Sequence, residues 1–318
     1  MSSRIGALLV LAAGVNAHAA NDCDRACLRN ALDQYLNAVV KHDPAAAPLF
    51  VAFRQTENAV VVRPGTGTWK TVTALGKVQR RYLDPVSGQA GYFGTVEERG
   101  EPAIVTVRVK VENRKISEAE WLIARKGDPG LNGPQAAGQP AGNFFDPENL
   151  TVTAPPDKPV AKVAKEARAS REALIAITNS YFDGITTHDG SIIMAHPGCL
   201  RVENGNTVTG RPGRGNPSGP PSDCTSNLAT INIQNVAARR YPVVDEEENV
   251  VLAIAVFLRK PGTATRRNVF SEWFAIENNK IRSIYSAMFY PVPEAPVPNW
   301  PPYDGNWPLS PTLAPPGR

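Results

Sequence analysis

The chain has 318 residues, 42% hydrophobic and 20% charged, with 34 basic against 30 acidic residues and a formal charge of +4. Such a composition excludes a disordered or low-complexity chain and leaves room for more than one core, since a single domain usually takes about 100–150 residues. No Lys/Arg run interleaved with aromatics stands out, so nucleic-acid binding has no support.

In chain order, residues 1–20 read as a cleaved export signal. Arg4 is the basic end, Ile5 to Val15 the apolar stretch, and Ala17-His18-Ala19 the small-x-small cleavage site. Eleven apolar residues fall short of the roughly 20 that a spanning helix needs. No other segment is long and apolar enough, so the mature chain is expected in the periplasm or secreted, with no membrane span.

Asp24 to Lys41 then carries apolar residues at helical spacing, including Ala31, Leu32, Tyr35, Leu36 and Val39. Ala173 to Ile185 repeats the pattern with Leu174, Ile177, Tyr181, Phe182 and Ile185. Each run stops at His-Asp, where Asp43 or Asp189 can cap the short helical segment that follows. Strands are predicted at Ala59–Val62, Gln89–Val96, Ala103–Val111 and Lys115–Ala124, then at Val250–Leu258, Asn268–Ile276 and Lys280–Tyr290. Asn113-Arg114 and Asn278-Asn279 supply tight turns. A helix followed by consecutive antiparallel strands is an α+β plan.

The two stretches are copies. Tyr35 to Asp43 (YLNAVVKHD) answers Tyr181 to Asp189 (YFDGITTHD) at 181 − 35 = 146, and Glu57-Asn58 answers Glu203-Asn204 at the same offset. Arg80-Arg81-Tyr82 answers Arg239-Arg240-Tyr241 at 159, and Glu112-Asn113-x-Lys115-Ile116 answers Glu277-Asn278-x-Lys280-Ile281 at 165. Collinear order with a growing offset fits a duplicated domain with insertions in the second copy. The boundaries are 21–126 and 169–290, joined by a Gly/Pro/Ala-rich linker at 127–168 and followed by a Pro-rich tail at 291–318. Trp300, Tyr303 and Trp307 favour docking of that tail on the body. Asn149 opens a glycosylation sequon. The Gly-rich loop from Arg211 lacks the GK[ST] ending of a nucleotide cradle.

Four cysteines in an exported chain suggest two disulfides. Cys199 and Cys224 flank the Gly/Pro-rich loop and are natural partners, which leaves Cys23 with Cys27. The second bridge is geometrically awkward if both lie within regular helix. No Cys/His cluster suggests a metal.

A helix with an early Tyr, a His-Asp turn and a sheet ending in ENxKI resembles the nuclear transport factor 2-like superfamily. This is the cone-shaped α+β fold of polyketide cyclases and scytalone dehydratase. More closely, the chain resembles an uncharacterised family of secreted tandem-domain proteins, through CDRACL at Cys23, TENAVVV at Thr56, GTWKT at Gly67, VSGQAGYFGTVEE at Val86, VEN at Val202 and RRYPVVDEE at Arg239. The resemblance implies an apolar pocket between helix and concave sheet. It implies cofactor-free lyase, dehydratase or isomerase chemistry on a small, largely apolar, aromatic molecule, such as a lignin-derived dimer. It leaves room for a non-catalytic ligand-binding protein and for a homo-oligomer.

Such chemistry needs a proton donor and a proton acceptor facing one cavity. Glu57 and Glu203 are base candidates, with Asn58 and Asn204 as substrate contacts; a surface turn in which Glu and Asn bond the backbone explains them equally well. Tyr82 and Tyr241 become acid/base candidates, beside Arg80 and Arg239, only if their face is concave, where a guanidinium would lower a tyrosine's pKa. His188, like His42, is either a mouth residue or a structural turn. His196 and the Trp69-Lys70 pair have no counterpart in the other copy, so they are candidates by asymmetry, with Lys70 alternatively a surface lysine. Phe270, Trp273 and Tyr285 either line the cavity or form ordinary core.

Overall fold

Asp24 accepts a hydrogen bond from Cys27 N and so starts helix α1 (Arg25–Val40), whose Leu28, Leu32, Tyr35, Leu36 and Val39 form one buried stripe. Ser170 caps helix α4 (Arg171–Thr187) in the same way, burying Leu174, Ile177, Tyr181, Phe182 and Ile185. Both helices end on a histidine in left-handed conformation, His42 at φ 57° and His188 at φ 60°. Asp43 and Asp189 then cap the short 3₁₀ turns Pro44–Ala46 and Gly190–Ile192. The computed structural model describes residues 22–131, 144–153, 163–210, 219–264, 266–292 and 294–295. The export signal, the glycine loop from Arg211 and the Trp300–Trp307 part of the tail lie outside them.

Each copy builds a six-stranded sheet. The first comprises β1 (Leu49–Glu57), β2 (Val60–Val62), β3 (Val72–Asp84), β4 (Gln89–Glu98), β5 (Glu101–Glu112) and β6 (Lys115–Arg125), with the short helix α2 (Thr68–Thr71) before β3. The second comprises β7 (Ala195–Glu203), β8 (Asn206–Thr207), β9 (Ile233–Asp245), β10 (Val250–Arg259), β11 (Asn268–Glu277) and β12 (Lys280–Phe289). The orders are β2-β1-β6-β5-β4-β3 and β8-β7-β12-β11-β10-β9. In each, one strand pairs parallel to the last (β1 with β6, β7 with β12) and the other pairings are antiparallel. This is the expected α+β plan, twice.

The strands predicted from sequence lack β1, β3, β7, β8 and β9. Val51 is 95% exposed and the first residues of β1 do not alternate between buried and exposed, so the periodic signal of a half-buried strand is absent. The linker also holds more than expected: α3 (Pro147–Thr153) buries Leu150 in a core shared by both copies, and Phe145 packs beside it while Phe144 is exposed. The sequon's Asn149 donates to Gly205 O and Thr207 Oγ1.

Alternation along each strand sends side chains to two different cores. Tyr92, Val105, Val107 and Trp121 lie under α1, and Ala253, Phe257, Phe270 and Phe274 lie under α4. The opposite faces meet each other: Val78, Tyr82, Phe93, Ile104 and Leu122 of the first sheet pack on Val243, Leu252, Ile254, Val269 and Trp273 of the second. The seam is pseudo-twofold. Arg25 pairs with Asp245 at 2.7 Å and Arg171, its counterpart at 25 + 146, pairs with Asp84 at 2.8 Å. Leu83 N donates to Asp245 at 2.7 Å and Val244 N to Asp84 at 2.9 Å. At the centre Ser271 donates to Thr106, its counterpart at 271 − 165, at 2.8 Å.

Both expected disulfides form, Cys23–Cys27 and Cys199–Cys224. The first is feasible because Cys23 precedes the N-cap and lies outside regular helix. The bridges span sequence separations of 4 and 25 residues. By loop-closure entropy the longer is worth about 3 kcal/mol and the shorter about 2 kcal/mol. Urea unfolding of a Cys199→Ser/Cys224→Ser variant should therefore show the larger loss, and equal losses would contradict the entropic account. Two disulfides fit an oxidising compartment outside the cytosol. No helix among the described residues is long and apolar enough to cross a membrane.

Candidate functional site

Under α1 the polar side chains bond one another, and a groove of about 650 Å³ lined by Glu57, Thr71, Glu98 and Arg125 lies beside them. Tyr35 Oη donates to Gln55 Oε1 at 2.8 Å and accepts from Trp121 Nε1 at 2.8 Å, while Trp69 Nε1 donates to the same Gln55 oxygen at 2.7 Å. Gln55 Nε2 donates onward to Glu57 at 3.2 Å, and Thr68 donates to Glu57 through N and Oγ1 at 2.8 and 2.7 Å. The polar atoms of this network satisfy one another, which is the behaviour of a structural core.

The second copy replaces that network with charge. Arg201 stands where Gln55 stands (55 + 146), Glu203 where Glu57 stands, and Tyr181 where Tyr35 stands. Glu272 takes the place of apolar Val107 (107 + 165), and Thr178 that of Leu32. Strand β11 explains how a carboxylate arrives there. Phe270, Glu272 and Phe274 alternate onto the α4 side, while Val269, Ser271 and Trp273 point to the seam. Arg201 binds Glu203 at 2.7 Å and Glu272 at 2.9 Å, with its guanidinium 5.5 Å from the centre of the Tyr181 ring.

This second network is not closed. Arg201 Nε, Arg259 Nε, Glu272 Oε2, Thr178 Oγ1 and Asn268 Oδ1 are buried and have no hydrogen-bond partner. An unmet buried polar atom costs about 1–3 kcal/mol, and among the described residues the second copy has six such side-chain atoms against three in the first, so the excess calls for an explanation beyond folding. Burial pushes the Glu272 carboxyl up to about 7; Arg201 only partly opposes it, and the nearby Glu203 charge adds to the rise. Burial likewise raises Tyr181 and Tyr290, whose rings adjoin the cluster. A carboxyl held near neutrality can both take and give a proton.

Of the residues singled out from sequence, Glu203 and Phe270 belong to this site. Phe270 is buried against Phe182 and Phe257, with ring centres 5.8 and 4.2 Å away. Asn204 and Asn58 hold backbone instead, each bonding both N and O of one residue, Met288 and Ile123. Glu57 and Trp69 belong to the closed network under α1, and Lys70 is exposed. His188 Nδ1 faces Leu228 O at 3.0 Å and His42 Nδ1 faces Trp69 O at 2.7 Å, so both histidines tie helix ends to the chain beyond. His196 is half-buried, with Nε2 at 2.8 Å from Glu277 O, in a groove of about 440 Å³ beside the Cys199 bridge.

The RRY motifs face two ways. Arg80 pairs opposite Phe93, and Arg240, not Arg239, takes the matching place opposite Ile254 (93 + 161). A register shift near Tyr241-Pro242 displaces the second motif by one residue. Arg81 and Arg239 therefore reach the helices, at Asp33 and Asp183. Arg80 and Arg240 instead reach across the seam, to the Tyr285 ring and Glu120. Tyr82 is buried in the seam, 4.7 Å from the Trp273 ring, and Tyr241 donates to Asn179 at 2.6 Å. Burial raises both to about 12, against the lowering expected for a concave face lined by arginine. Trp273 donates to Thr106 at 3.0 Å, and Tyr285 to Thr153 O at 2.8 Å, so both are seam residues.

Sequence reading missed Arg201, Glu272, Arg259 and Thr178. A signal was available in the repeat itself: Arg201, Glu272 and Thr178 occupy positions whose first-copy counterparts are neutral or apolar, and Arg259 one whose counterpart, Glu98, has the opposite charge. Among the described residues, no group of three or more His, Cys, Asp or Glu is arranged to hold a metal.

No curated protein matches the chain. Residues 167–288, which run from just before α4 to the end of β12 and contain Arg201, Arg259 and Glu272, match the family described as a domain of unknown function (DUF8021).

Proposed function

We propose that the chain is an exported tandem of two nuclear transport factor 2-like cones in which the first is structural and the second works. The second is a cofactor-independent lyase, dehydratase or isomerase acting on a small aromatic molecule. The observation that carries this reading is Glu272, fully buried, near neutral in pKa, with one carboxylate oxygen unpartnered beside Arg201. As carboxylate it takes a proton from a carbon next to a carbonyl, and the electron pair moves onto the carbonyl oxygen, where Arg201 Nε stabilises it. The proton then returns at another carbon in an isomerisation, or leaves with a departing hydroxyl as water in a dehydration. Phe182, Phe270 and Phe274 supply the apolar surround for a ring.

A non-catalytic ligand-binding protein is the second reading. It is favoured by the close contacts among those same rings, with centres 5.6–5.8 Å apart, which fill much of the interior. The test is turnover of aromatic ketones, diaryl dimers and hydroxylated polyketide-like compounds by the mature protein, followed by mass spectrometry. Turnover lost in Glu272→Gln and kept in Glu57→Gln supports the proposal. Turnover that survives Glu272→Gln refutes the assigned site, and saturable binding with no turnover favours the second reading.

A further inference from the structure

The two copies differ most informatively at the end of the α4-side cluster, where β10 finishes. In the first copy Glu98, the last residue of β4, accepts from Arg125 of β6 at 2.5 and 2.9 Å and from Thr71 at 2.6 Å. That position is an internal ion pair. Its counterparts are Arg259 (98 + 161), the last residue of β10, and Tyr290 (125 + 165), just past β12. The carboxylate has become a guanidinium and its partner a phenol.

Among the described residues no carboxylate lies within ion-pair distance of Arg259, and its Nε is buried and unpartnered. Glu203 is near enough to act on it electrostatically, yet that carboxylate is already bonded to Arg201 at 2.7 Å. Burial opposes its charge most strongly; Tyr290 and Glu203 favour it, and the neighbouring Arg201 opposes it. A guanidinium is always charged and offers a planar fork that fits a carboxylate in two-point fashion. Leaving one half-buried without an anion is costly, and the first copy shows the fold can supply one from within.

We infer that the second domain takes an aromatic molecule bearing a carboxylate, which docks on Arg259 while its ring enters toward Phe270 and Glu272. This rests on the second domain being the working one. The carboxylate of the ligand does for Arg259 what Glu98 does for Arg125.

The experiment is equilibrium binding to the mature protein of benzoate, phenylacetate and cinnamate against their amides, which match in shape and lack charge. Wild type should bind at least one acid about tenfold or more tightly than its amide, the scale of one charge-assisted hydrogen bond. Arg259→Gln should abolish the preference, and Glu57→Gln, in the closed network of the first copy, should keep it. If Arg259→Gln fails to fold, Arg259→Lys, which keeps the charge and loses the fork, must show a reduced preference. Equal binding of acids and amides, no acid binding at all, or a preference untouched in a folded Arg259 variant would overturn the inference. Turnover of neutral ketones by Glu272 could persist in any of those cases, so the two proposals fail separately.

Discussion

Glu272→Gln should lower turnover by roughly two to four orders of magnitude, the usual contribution of a positioned acid or base, while the protein stays folded. The amide has the same shape and can still accept from Arg201 through its oxygen, but it cannot carry a proton. In wild type the rate of proton abstraction should rise with pH and level off above about 7, as the carboxylate forms. Stability should run the other way. Burial raises the folded pKa of Glu272 from 4.5 to about 7. Its contribution is thus fully present below pH 4.5 and is lost as pH rises through about 7. With each unit worth about 1.4 kcal/mol, the loss is on the order of 3 kcal/mol by pH 8. The glutamine variant should lack this decline, so its urea midpoint should fall less than that of wild type between pH 5 and pH 8. A parallel fall in both proteins would show that Glu272 does not titrate there. An unchanged rate in the variant would remove it from the reaction.

What the sequence made legible follows from what repeats. Tyr35 and Tyr181, the His-Asp helix ends and the Asn-Arg and Asn-Asn turns recur because both copies need the same caps and turns. Repetition therefore identified scaffold: Asn58 and Asn204 bond one strand's backbone in both halves, and His42 and His188 each tie down a helix end. The candidate site lies where the copies diverge, at Gln55 against Arg201, Val107 against Glu272 and Glu98 against Arg259. Reading those differences requires the register of each strand: the extra residue near Pro242 puts Arg240, not Arg239, in the place of Arg80, while Val243 and Val244 keep the faces of Tyr82 and Leu83. The seam was not legible for a related reason. Strands buried on both faces, such as β10 with its run from Val250 to Phe257, lose the alternation that would tell which side faces a helix and which a second sheet.

The seam itself should prove the strongest structural constraint in the molecule. Asp84 and Asp245 are both fully buried, and each serves the opposite copy. Asp245 accepts from Arg25 at 2.7 and 3.0 Å and from Leu83 N at 2.7 Å. Asp84 accepts from Arg171 at 2.8 Å and from Val244 N at 2.9 Å. Alanine at Asp84 strands the Arg171 guanidinium and a buried N–H together, and breaking a buried pair on one side costs about 3–5 kcal/mol. Alanine at Asp245 leaves Leu83 N unmet, while Arg25 keeps Glu247 at 3.1 Å and Glu248 at 3.8 Å. The arginines keep about a fifth of their surface in water, so the lower end of that range is expected. Asp84→Ala should cost somewhat more than Asp245→Ala, since Arg171 pairs with Asp84 alone while Arg25 keeps Glu247 and Glu248. Trp273 reports on the consequence. It lies in the seam with its ring against Tyr82, and a Cβ added at Gly91 would meet its Cη2 at 2.3 Å. If the two copies hold together through these crossed carboxylates, tryptophan emission in Asp245→Ala should change at lower urea than far-ultraviolet circular dichroism. In wild type the two signals should coincide, because the shared core makes separation and unfolding one event. Coincident transitions in both proteins would mean that the apolar seam alone holds the halves together and that the carboxylates merely set its register.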